Sequence, residues 1–130
     1  MNAALAFYQG LLGFRLMMDR VSDDGGKFVG VRGASIRICV LEVPGSNVGI
    51  ELLEYRGADR TAVAGRPVDP GTGHLSFWVS DLDALYKRFV ENGVELISEP
   101  IDAASSRKKF YARDPDGFWL ELTAKPQTSA

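Results

Sequence analysis

Apolar and polar positions in this chain follow two periods, and the places where the period changes mark out the elements. Asn2 to Leu12 predicts a helix, with Leu5, Leu11 and Leu12 on or near one stripe and Gly13 as its stop. Phe14 to Val21 then reads as a strand of imperfect alternation, and Asp23-Asp24-Gly25-Gly26 as a turn. Ser35 to Val43 alternates cleanly: Ile36, Ile38 and Val40 share one face, and Arg37, Cys39 and Leu41 the other. Pro44 to Asn47 turns the chain into a further strand, Val48 to Tyr55.

After a Gly- and Pro-containing stretch of low apolar content, the same programme resumes. Gly73 to Val79 predicts a strand. Ser80 or Asp81 caps a helix that runs to Asn92, with Leu82, Leu85 and Phe89 at i, i+3 and i+7. Val94 to Ser98 reads as a strand, Glu99 to Ser106 as a loop and Lys108 to Ala112 as a strand. Asp114-Pro115-Asp116-Gly117 is a turn, and Phe118 to Thr123 closes the series. The organisation is therefore a first module over 1–56, a linker over 57–72, a second module over 73–124 and a loose tail over 125–130.

The two halves superpose by eye. Placing Gly93 on Gly13 brings Leu85 onto Leu5, and Ile50-Glu51-Leu52 matches Leu120-Glu121-Leu122. The second copy opens on a strand that carries His74. By the same offset its counterpart falls upstream of residue 1, so the first copy is expected to begin one strand late and to leave its last strand with an unpaired edge.

Composition narrows the function. The 130 residues carry 15 Lys and Arg against 17 Asp and Glu, a formal charge of -2, which gives no footprint for nucleic acid or an anionic membrane. No apolar run approaches a bilayer span. A lone cysteine, Cys39, excludes an internal disulfide and suits a cytoplasmic location. There is one histidine, so any mechanism needing two from one such chain is excluded.

Strand parity gathers the remaining candidates. His74, Ser76 and Trp78 lie opposite Leu75, Phe77 and Val79. Glu121 shares its side with Trp119 and Thr123, and Glu51 lies opposite Ile50 and Leu52. Each sheet is expected to pack its aliphatic side under a helix. The imidazole and two carboxylates are then left to face a shared cleft, a donor set suited to a divalent first-row metal (Ni, Zn, Co, Mn or Fe) with positions open to substrate. Ser76, Trp78, Trp119 and Leu53 would line its walls. Arg107-Lys108-Lys109 reads as a solvated basic face, and Asp114 and Asp116 serve the turn.

These segments resemble the vicinal oxygen chelate superfamily, which includes glyoxalase I, bleomycin-resistance proteins and extradiol dioxygenases. The likeness rests on Ala6-Phe7-Tyr8 through Leu11-Leu12-Gly13-Phe14, Ile50-Glu51-Leu52, Gly73-His74-Leu75-Ser76-Phe77, and Arg113-Asp114-Pro115-Asp116-Gly117-Phe118 with Leu120-Glu121-Leu122. The resemblance implies an α+β fold of two βαβββ modules around one metal, and a homodimer acting on a small molecule. It implies Glu51, His74 and Glu121 as metal ligands, with a fourth from the absent strand, and Glu121 followed by Glu51 as the proton shuttle. The implied activity is that of a lyase or isomerase that chelates two neighbouring substrate oxygens and stabilises an enediolate or enolate. An iron-dependent extradiol dioxygenase, whose second histidine would have to lie upstream, and a metal-free drug-sequestering protein are the alternatives.

Overall fold

The computed structural model describes residues 1–63, 65–102 and 107–126. The chain folds as two compact α+β units, Met1–Val63 and Ala64–Ala130, which divide within the predicted linker.

In the first unit, helix α1 (Asn2–Leu5) continues as a wider helical stretch over Ala6–Leu11. There Leu12 N–H donates to Phe7 C=O at 3.1 Å, an i→i+5 bond. Ala4, Phe7 and Tyr8 are buried, whereas the predicted stripe of Leu5, Leu11 and Leu12 is only half-buried. Strands β1 (Arg15–Ser22), β2 (Ser35–Glu42) and β3 (Gly49–Arg56) form an antiparallel sheet in that order. Between β1 and β2 the chain makes a 3₁₀ turn over Gly25–Val29.

The alternation of β2 decides the faces of this sheet. Cys39 and Leu41 are fully buried on one side. Arg37, of the same parity, donates to Asn2 Oδ1 at 2.8 Å, which places α1 over that side. Arg37 also clamps Asp19 with two N–H donors at 2.9 and 2.7 Å. This guanidinium fork holds the Asp19 carboxyl down from its usual 3.8 to about 2. A carboxyl lowered on folding contributes stability above its unfolded value and loses it as pH falls through the folded one. Asp19→Asn should therefore be less stable than the parent at pH 6, with the gap closing between pH ~4 and ~2. Urea midpoints at the two ends of that range test it; a constant gap would assign the effect to packing.

In the second unit, β4 (His74–Val79) is followed by α2 (Leu82–Glu91), β5 (Ile101–Asp102), β6 (Lys108–Arg113) and β7 (Trp119–Ala124). The sheet order is β4-β7-β6-β5, with β4 parallel to β7 and the other pairs antiparallel. Asp81 caps α2 by accepting from Ala84 N–H at 2.9 Å, and Leu82, Leu85 and Phe89 are buried as the spacing predicts. Phe110 of β6 is 1% exposed, with the Phe89 and Tyr86 rings edge-on at 5.9 and 5.4 Å.

Two boundaries differ from the sequence reading. The predicted strand Val94 to Ser98 is reduced to a single bridge, Leu96 to Ala112, held by Ile97 N–H to Tyr111 C=O and Arg113 N–H to Glu95 C=O. The short strand β5 lies instead within the stretch predicted as a loop, and residues 103–106 of that stretch lie outside the described ones. Of the predicted tail, 127–130 also lie outside; Lys125 N–H donates to Val79 C=O at 2.9 Å.

Candidate functional site

In-register pairing turns the parity of single strands into a surface. Along β4, His74, Ser76 and Trp78 pair with Trp119, Glu121 and Thr123 of β7. Those three pair in turn with Arg113, Tyr111 and Lys109 of β6. Leu75, Phe77, Leu120, Leu122, Phe110 and Ala112 take the opposite face, which α2 covers.

Glu121 sits in the middle of the polar face and is engaged on both oxygens. Ser76 Oγ and Thr123 Oγ1 each donate to Oε1 at 3.1 Å, and the Lys109 ammonium lies 3.2 Å from the same atom. Tyr111 Oη donates to Oε2. Burial pushes the Glu121 carboxyl up, but the bonds from Tyr111, Lys109, Ser76 and Thr123 outweigh it and hold the group down at about 2. The Tyr111 phenol is raised to about 12, by burial first and then by its bond to Glu121.

His74 is exposed, with its ring 5.5 Å from that of Tyr111 in an edge-to-face arrangement. Among the described residues no hydrogen bond or ion pair engages its nitrogens. Trp78 is 61% exposed and carries the Arg107 guanidinium over its ring at 5.5 Å. Trp119 is buried: its indole N–H donates to Gly65 C=O at 2.9 Å, and Arg113 stacks on it at 4.0 Å.

The basic segment predicted as a solvated face is instead distributed by the strand's alternation. Lys108 turns to the helix side and pairs with Asp83 at 2.7 Å, while Arg107 and Lys109 reach Trp78 and Glu121. The sequence reading missed the clasp of Tyr111 and Lys109 on Glu121. The i, i+2 spacing of Lys109 and Tyr111 puts them on one face, but only the register of β6 on β7 sets them beside the carboxylate.

The first unit repeats the pattern on β3. Glu51 pairs with Val40, Leu53 with Ile38 and Tyr55 with Ile36, and on β1 Arg20 pairs with Ile38 and Ser22 with Ile36. These side chains share the face away from α1, and Glu51 and Leu53 line a cavity of about 490 Å³ there. Among the described residues no donor engages the exposed Glu51 carboxylate, and no group of three or more His, Cys, Asp or Glu side chains is set to hold a metal.

These paired strands with carboxylates at matching positions define a glyoxalase-type fold, and comparison with known proteins agrees. The family model of the Glyoxalase/Bleomycin resistance protein/Dioxygenase superfamily matches residues 1–122. A lactoylglutathione lyase from Pseudomonas aeruginosa is 32% identical over 131 residues, 92% of this chain and 73% of that protein. A glyoxalase family protein from Bacillus cereus superposes with a TM-score of 0.87 at 21% identity, over 98% of this chain and 87% of its own. Glyoxalase I from Zea mays gives 0.71 at 21%, over 98% of this chain and 41% of that one. An antibiotic binding protein from Streptomyces sp. CB03234 gives 0.63 at 23%, over 96% and 86%. The chain belongs to the glyoxalase/bleomycin resistance/dioxygenase superfamily, and its α+β architecture is that of the family.

Proposed function

We propose that this protein is a metal-dependent lyase or isomerase of the glyoxalase kind, with His74, Glu121 and Glu51 as its metal donors. The observation that carries the reading is the contrast between His74 and Glu121 on one sheet face. The imidazole is free of protein partners among the described residues, and the carboxylate is ionised and oriented by three hydroxyls. An imidazole on the same sheet face as an anionic oxygen donor held by hydroxyls suits a divalent first-row ion. When bound, such an ion supplies Lewis acidity toward negative charge on two neighbouring substrate oxygens.

The chain's own residues divide the remaining work. Glu121, held at about 2 by its donors, is a weak base and serves as an anchor. Glu51, with no donor on it among the described residues, is the better acceptor for a substrate C–H proton and returns it to the adjacent carbon. The exposed ring of Trp78 offers a face for an apolar part of the substrate, with Ser76 beside it.

The name of the Pseudomonas aeruginosa relative directs the test to the thiohemiacetal of glutathione with a 2-oxoaldehyde. Thioester formation by protein loaded with Ni(II), Co(II) or Zn(II), and none by the chelated protein, is the expected result. Absence of turnover with every metal, together with tight binding of apolar compounds, would favour the drug-sequestering alternative. A homodimer is the proposed assembly, since β3 is an outer strand of its sheet.

Lys109 gives this reading a distinctive consequence. Its ammonium lies 3.2 Å from Glu121 Oε1, so a divalent ion held by this carboxylate would meet a cation already paired with it. Lys109→Met should raise metal affinity by roughly tenfold, the effect of one unfavourable charge at an effective dielectric near 20 moderated by exposure. Calorimetric titration of both proteins measures it, and an unchanged or lowered affinity would show that Lys109 supports the site instead.

A further inference from the structure

The cavity of the first unit carries an arrangement of charge that the metal reading does not use. Its floor is the apolar centre of the sheet, Ile36 and Ile38, both nearly buried. Its rim is large apolar surface left open: Leu53 is 41% exposed, Val29 53% and Phe28 81%. A volume of about 490 Å³ is in the range that holds a small organic ligand.

The backbone holds this rim in place. Gly26 N–H donates to Ala34 C=O at 3.1 Å, and Val31 N–H donates to Gly26 C=O at 2.9 Å. A Cβ at position 26 would stand 2.2 Å from the Val31 carbonyl oxygen, so this turn closes only on glycine. Phe28 and Val29 are thereby carried to the cavity by a tight, specified loop.

Three charged side chains line the space: Arg20, Asp24 and Glu51. Asp24 is neutralised by Lys27. Arg20 stands apart from the other arginines of this sheet. Arg15, Arg37 and Arg56 hold Glu42, Asp19 and Glu54 respectively, whereas among the described residues no carboxylate engages Arg20. Through Ile38, Arg20 on β1 lies across from Leu53 on β3, and Glu51 is two residues further along that strand, which sets the two charged positions roughly 12 Å apart diagonally across the sheet. A cation at one side and an anion at the other give the cavity a direction.

We propose that this cavity seats the substrate's body: an aromatic or branched aliphatic group bearing one anionic oxygen group, which pairs with Arg20. The guanidinium fork matches a carboxylate or phosphate bidentately, and the apolar floor and rim cover the hydrocarbon. Pairing with Arg20 holds the charged end at β1 and leaves the opposite end of the molecule toward Glu51 on β3. The inference rests on the proposed function only in taking Glu51 as the reacting end.

The test uses the full chain in excess chelator, titrated calorimetrically with 2-naphthoate and with 2-naphthamide, which has the same body and no charge. The carboxylate should bind at least tenfold more tightly than the amide. Arg20→Gln should bring naphthoate to the amide's affinity and leave the amide unchanged, and Val29→Asp should weaken both. Arg20 and Val29 are both exposed, so neither change threatens folding. Equal affinity for the two probes, a preference that survives Arg20→Gln, or no binding of either would overturn the proposal. Because chelator is present throughout, failure here is distinct from failure of the metal reading, which the metal titration decides.

Discussion

Glu121→Ala and His74→Ala should each lower divalent-metal affinity by at least about a hundredfold, since loss even of a residue that only braces a ligand costs ten- to a hundredfold. The two variants should differ in what they leave behind. His74 has no hydrogen-bond partner among the described residues, so its removal leaves no unsatisfied group and the fold should be unaffected. Glu121 collects Tyr111, Ser76, Thr123 and Lys109, so its removal strands three hydroxyls and an ammonium on one sheet face. Glu121→Ala should therefore also lower the urea midpoint, whereas Glu121→Gln should lose metal and keep more of the fold. Calorimetry with Ni(II), Co(II) and Zn(II), paired with urea melts, separates the two effects. Undiminished binding in both alanine variants would remove these residues from the metal site.

Phe110→Ala should cost about 3–5 kcal/mol of stability, a large share of what a folded domain has. Its ring is 1% exposed between Phe89 and Tyr86, on the face of β6 that α2 covers. Trp78→Ala, on the opposite face and 61% exposed, should stay within about 0.5 kcal/mol of the parent. The contrast tests the assignment of faces directly, because the larger ring is the one expected to be dispensable for folding. Comparable losses from the two substitutions, read as urea unfolding free energies, would mean that the polar face is packed as core.

Much of the second unit was legible before any coordinates. The i, i+3, i+7 spacing of Leu82, Leu85 and Phe89 is a property of a regular helix, and Asp81 is a local cap. The alternation in His74 to Val79 and Trp119 to Thr123 separates polar from aliphatic faces, because successive side chains in a strand point to opposite sides. The first helix differs from its predicted stripe: the buried positions are Ala4, Phe7 and Tyr8, at i, i+3 and i+4, while Leu5, Leu11 and Leu12 are half-buried.

The sequence by itself determined the order of strands and helices outside the 94–106 stretch, the side of each strand on which His74, Ser76, Glu51 and Glu121 lie, and the match of the segment around Glu51 to that around Glu121. These follow from backbone periods and turn chemistry, which act over a few residues. Only the tertiary structure decided that Lys109 and Tyr111 clasp Glu121, that Glu51 is left without such a clasp, and that Arg20 faces a cavity without a carboxylate of its own. Those outcomes depend on the register between strands distant in sequence. Register is chosen by the sum of packing on both faces of a sheet, which no single segment contains.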